Sequence, residues 1–135
     1  MASFFEKFLD RVLPSPASVH YFLAKTHYQF AIHSANYGSE YWFAKAKEGF
    51  DAHADALQEI HRTTRKPSDR RLDAWTHRSQ NLAEGLKQAE KAAETIRQLL
   101  LKKQAGNAEK TNEIIKEQQD LLRQLHRRLR RPDLR

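Results

Sequence analysis

The sequence predicts an all-α protein: a helical bundle with a short N-terminal amphipathic helix and a long C-terminal antiparallel, coiled-coil-like αα-hairpin. Three observations predict it. Leu72, Trp75, Ser79, Leu82, Leu86, Ala89, Ala93, Ile96 and Leu100 recur in alternating steps of three and four residues, the a/d rhythm of a coiled-coil seam. The residues between them are mostly Glu, Lys, Gln, Arg and Ala, all strong helix formers. The 135 residues include only 4 Gly and 4 Pro, too few for a many-turned β-sandwich, and no stretch alternates polar and apolar as a strand does.

The elements follow in order within one domain, 1–135. Over 1–14, Phe4, Phe5, Phe8, Leu9, Val12 and Leu13 fall on one helical stripe; Ser3 and Glu6 make a capping box, and Pro14 ends the helix. Ser15-Pro16 restarts the chain as N-cap and first helical residue of an aromatic-rich region, 15–61. There Val19, Phe22, Leu23, Thr26, Phe30, His33 and Tyr37 mark an expected buried face. The pattern resumes at Tyr41 with Phe43, Ala46, Phe50, Ala54, Leu57 and Ile60, out of phase by about one residue. Gly38 therefore either separates two helices or interrupts one. A polar, basic connection, 62–68, supplies Ser68 as the next N-cap. The hairpin spans 69–131. Its first arm is roughly 50 Å long, its turn lies near 104–107 around Gly106 and Asn107, and its second arm carries Ala108, Thr111, Ile115, Gln118, Leu122, Leu125 and Leu129 at heptad spacing. A two-helix seam thinned by Ala89 and Ala93 buries little, so residues 16–61 or another chain must pack on it.

Aromatic mass and positive charge are segregated. Twelve of the 13 Phe, Tyr and Trp residues precede residue 51. Residues 1–66 carry eight Lys and Arg against seven Asp and Glu; residues 67–135 carry sixteen against ten. With a net charge of +7 and mean hydropathy of −0.84, the protein is basic and strongly hydrated. Such a chain prefers polyanions. The absence of Cys excludes disulfides, Cys-ligated zinc and thiol catalysis. No apolar run reaches the roughly 18 residues needed to span a bilayer. Glu6 and Asp10 cancel Lys7 and Arg11 in the N-terminal stripe, so it makes a poor lipid anchor, signal peptide or transit helix. A cytoplasmic protein without a membrane partner is expected.

Few residue patterns carry chemistry. Seven His are present, but His20/His27 and His53/His61 are spaced seven and eight apart, so neither pair can chelate a metal on one helix. Asp73 and His77, four apart, come nearest. No Glu-x-x-His motif, Gly-rich phosphate loop or nucleophile elbow occurs, and no metal or cofactor is expected. The row Glu48, Asp51, Asp55 and Glu59 reads as a solvated helix face. Arg71 and His77, five residues intervening, resemble the Arg-x(4–6)-His signature of HEPN ribonucleases, also small helical domains. The resemblance implies that these two residues act on a scissile phosphate and its 2′-hydroxyl. Leu72 stands where that family usually has a polar residue.

The basic clusters are the strongest functional signal. One gathers Arg62, Arg65, Lys66, Arg70 and Arg71 at the central connection. The other places Arg123, Arg127 and Arg130 in a stripe beside the Leu122/Leu125/Leu129 seam, widened by Arg128 and Arg131. Guanidinium forks fit phosphate oxygens, and five Arg exceed what a helix C-terminus needs. The expected function is non-catalytic binding of RNA or DNA backbone by a helical subunit of a larger ribonucleoprotein or DNA-bound complex. In size and composition the chain is similar to the small helical subunits of CRISPR effector complexes, which line a guide–target duplex with basic residues. The alternative is a coiled-coil adaptor or self-associating scaffold. Most aromatics are expected in the core rather than as base-stacking platforms. Tyr41-Trp42-Phe43 cannot all face one way on a helix, so Tyr41 and Trp42, with Phe4, Phe5 and Phe8, are assigned to a partner interface.

Overall fold

A computed structural model describes residues 16–64, 70–104 and 109–130, excepting the side chains of 70, 104, 109, 110 and 130. It is an all-α bundle of four helices: α1 (Pro16–Asn36), α2 (Glu40–Thr63), α3 (Arg70–Gln104) and α4 (Glu109–Arg127), the last running into a 3-10 turn, Arg128–Arg130. The N-terminal helix expected over 1–14, with Phe4, Phe5 and Phe8, lies outside the described residues, as does the hairpin turn.

Gly38 separates two helices. At φ +64° it takes the left-handed conformation that glycine adopts without a Cβ penalty. The Ser39 amide donates to the Ser34 carbonyl and the Gly38 amide to the Ala35 carbonyl, so the turn satisfies the last carbonyls of α1 as a Schellman motif. Ser39 then N-caps α2, its Oγ accepting from the Trp42 amide at 3.4 Å. At its far end α2 continues to Thr63, so Arg62 is helical and not part of the connection.

The helices run up, down, up, down. α1 and α3 lie parallel and in contact; α2 packs along both from one side and α4 along both from the other. The heptad seam is spent inside the chain. Leu72, Ser79, Leu82, Leu86, Ala89, Ala93 and Ile96 of α3 are buried, as are Thr111, Ile115, Leu122 and Leu125 of α4. At the C-terminal end of α3, Leu99 takes the buried position in place of Leu100. Burying each Leu or Ile contributes roughly 1.5–3 kcal/mol.

The face predicted for α1 is corrected. Its buried side is Ala17, Ala24, Tyr28, Ala31, Ile32, Ser34 and Ala35, whereas Val19, Phe22, Thr26, Phe30, His33 and Tyr37 face outward. The reason is crowding. α1 touches all three other helices, and against α3 it meets Ala89, Ala92 and Ala93 in one continuous core. Backbones that approach this closely leave room for Ala and exclude a row of Phe. Tyr28 is the large exception. Gly85 makes room for it, since a Cβ there would stand 2.7 Å from the phenolic oxygen. The Tyr28 hydroxyl donates to the Leu125 carbonyl at 2.7 Å, one of the carbonyls α4 leaves unpaired at its C-terminus.

Candidate nucleic-acid interface

The antiparallel contact of α1 and α4 leaves a surface groove of about 380 Å³. Ile32 and Leu122, both buried, form its floor. Gln29, His33 and Asn36 recur on one face of α1 as one wall; Arg123, His126 and Arg127 do so on α4 as the other. None of the lining residues is acidic. Gln119 reaches across, its amide nitrogen donating to the Asn36 carbonyl at 3.2 Å and fixing the register of the two walls. Arg123 shares its charge with Asp120 at 3.1 Å, on a largely exposed pair that solvent screens. Arg127 is exposed and has no ion pair among the described residues.

The remaining basic residues divide by what they touch. The half-buried Arg128 donates to the Asn81 carbonyl at 3.2 Å, which ties the 3-10 turn to α3. Arg62 is gripped by Glu59 on its own helix through two contacts of 3.1 and 2.5 Å; that carboxylate holds the guanidinium more firmly charged and is itself pulled below its ordinary pKa. Arg71 is exposed near the start of α3. Arg65, Lys66 and Arg131 lie outside the described residues, as do the side chains of Arg70 and Arg130. Of the C-terminal stripe, Arg123 and Arg127 thus line a groove.

A larger groove of about 1030 Å³ lies between α2 and α3, and it is chemically different. Glu40, Glu48, Asp51, Glu90 and Glu94 alternate along it with Lys47, Lys87, Lys91 and Arg97. Its five acids outnumber its four bases, and Lys47–Asp51 and Arg97–Glu94 pair within it, so it offers a polyanion no net attraction.

The aromatic expectation is also corrected. Tyr28, Phe43 and Phe50 are core, but Phe22 is 66%, Phe30 46%, Tyr37 69%, Tyr41 62% and Trp42 54% exposed. Tyr41 and Trp42 face outward as assigned, with Phe43 inward. Tyr37 rests edge-on against His33, a wall residue of the α1/α4 groove, at 5.2 Å and 71°. The basic groove and the exposed rings therefore adjoin.

The histidines converge between helices rather than along one. His20 and His53 bring their Nδ1 atoms to 3.1 Å across α1 and α2, and His27 stacks on His53 at 5.5 Å. Burial, then the neighbouring His20 and His27, pushes the His53 pKa down. Among the described residues no group of three or more His, Asp or Glu is arranged to hold a metal ion. Asp73 turns to His61, 2.6 Å away across α2 and α3, and not to His77. Arg71 and His77 are both exposed on α3, where an offset of six positions sets them about 9 Å apart along the axis and about 120° around it. No described helix is long and apolar enough to cross a membrane.

Sequence reasoning identified the α4 wall and missed the α1 wall. His33 and Tyr37, four apart, were visible as a pair but assigned inward, and His126 was passed over among the arginines. Comparison with known proteins finds no family model, no curated protein and no solved structure that matches the chain.

Proposed function

We propose that this protein binds nucleic acid through its sugar–phosphate backbone, without catalysis, as a helical subunit of a larger assembly. The observation that carries the reading is the α1/α4 groove, basic along one wall, polar along the other and free of acidic lining. Arg forks on a rigid helix hold phosphate oxygens at fixed register, and Gln29, Asn36 and His33 add neutral donors opposite them. Most heptad residues of α3 and α4 are buried within the chain, which favours this reading over an adaptor that would use them as its seam.

Salt-titrated fluorescence anisotropy with single-stranded RNA, single-stranded DNA and duplexes tests the proposal. Saturable binding is expected, weakening steeply with salt. Arg123→Gln/Arg127→Gln should reduce the logarithmic salt slope by about 1.8 on a duplex or about 1.4 on a single strand, the share of two phosphate contacts. Absence of saturable binding at low salt, or identical slopes for both proteins, contradicts it.

A further inference from the structure

We infer that the exposed aromatic corner between α1 and α2 is a platform for unpaired bases, so that the ligand of the adjoining groove is single-stranded nucleic acid. This rests on the backbone-binding reading above and narrows it.

Three features of the corner support the assignment. The rings are held in place. Tyr37 is braced by His33, and Trp42 by Phe30 at 6.2 Å and 89° and by Tyr41 at 5.1 Å and 82°. Edge-on bracing restricts the rotamers while Tyr37 and Trp42 stay more than half exposed, so little ordering is required on binding. The corner itself is rigid, because the Gly38 turn and the Ser39 cap set where Tyr37 and Trp42 stand. Finally, the corner adjoins the basic groove. His33 is shared between groove and platform, which sets Tyr37 beside the groove that Arg123 and Arg127 line. The acids of this corner are engaged, Glu40 by Arg97 at 3.6 Å and Glu48 by Lys45 at 3.8 Å. A basic groove that tracks the backbone beside open aromatic faces is the combination that binds single strands without reading sequence. A duplex keeps its bases stacked inside and has none to offer these rings. A second copy of the chain is the competing occupant, since exposed apolar patches also mark protein interfaces. Charge in the adjoining groove favours the polyanion, because Arg123 and Arg127 attract phosphate and would repel their own counterparts in a second copy.

The test uses the full chain with Trp75→Phe, which leaves Trp42 as its sole tryptophan. Unstructured oligo-uridine and oligo-deoxythymidine are compared with a duplex of equal length. Single strands should bind at least about tenfold more tightly and quench Trp42 emission saturably. Tyr37→Ala and Trp42→Leu should each weaken single-strand binding roughly fivefold or more, as loss of a stacked base does, and leave duplex binding unchanged. Both residues are exposed, and helix content measured by circular dichroism should not change. Equal affinity for single strand and duplex without quenching overturns the platform and leaves the groove reading intact. No saturable binding of any oligonucleotide overturns both. Concentration-dependent dimerisation in sedimentation, abolished by Trp42→Leu while oligonucleotide affinity is unchanged, assigns the corner to a second copy and overturns the inference.

Discussion

Two side chains, Tyr28 and His53, tie the stability of this bundle to pH, one at the alkaline end and one at the acid end. Burial raises the Tyr28 phenol from its ordinary value of 10.0 to about 12. In the unfolded chain the phenol ionises near 10, while the folded protein keeps the proton that Leu125 accepts. Its contribution is therefore complete below pH 10 and lost as pH rises toward 12. Denaturant midpoints should fall over that range more steeply than in Tyr28→Phe. At neutral pH, Tyr28→Phe should cost about 1–3 kcal/mol, because the Leu125 carbonyl is left buried without its donor. His53 acts at the acid end. Its folded pKa lies below the ordinary 6.5, so its neutral form is preferred in the native state. That contribution is present above 6.5 and lost as pH falls through the depressed value, when His53 must take on a proton in its half-buried place between His20 and His27. Thermal midpoints recorded from about pH 8 to about pH 5 should drop, and His53→Leu should flatten that drop. These residues were legible as types but not as sites. His20 and His53 lie 33 positions apart, and nothing in their spacing announces a 3.1 Å contact.

Among the elements, α3 and α4 were readable because each has a single apolar stripe, and a stripe at heptad spacing has one way to face inward. α1 is apolar on two sides. One carries Ala17, Ala24, Ala31 and Ala35, the other Phe22, Phe30 and Tyr37, and helical periodicity fits either. The aromatic side is the one expected inward. The packing reverses it, because α1 sits among three helices whose close approach favours Ala, with Tyr28 and Ile32 as its larger buried side chains. A measurable contrast follows. Leu86→Ala should destabilise the fold by about 2–5 kcal/mol, the cost of a fully buried Leu, whereas Phe22→Gln should stay within about 0.5 kcal/mol. Urea denaturation of the two variants checks it; comparable losses would return Phe22 to the core. Gly38 was likewise ambiguous from sequence, since one glycine within a helix costs only about 1 kcal/mol. Its left-handed backbone and the Schellman hydrogen bonds decide for a break.

Across the whole molecule, the sequence segregates aromatics into the first half and positive charge into the second, and the fold brings them together. α1 and α4 are antiparallel neighbours, so Gln29 and His33 from the aromatic half face Arg123 and Arg127 from the basic half. The all-α class and the charge excess were legible from composition and periodicity. The groove was not, because it depends on which helix lies beside α4, and a heptad pattern names only the partner α3. The larger α2/α3 groove carries both signs of charge in close alternation, so size alone does not single out the proposed anion surface.

The seven histidines are spread over the bundle and serve as reporters of where a ligand sits. His33 and His126 line the α1/α4 groove, while His61 and His77 lie on α2 and α3 away from its walls. The most direct measurement is an NMR titration of the imidazole ring signals with a short single-stranded oligonucleotide. The account expects His33 and His126 to shift along saturating curves, with His61 and His77 stationary. Saturating shifts at His61 and His77 with His33 and His126 unmoved would place the ligand elsewhere and contradict it.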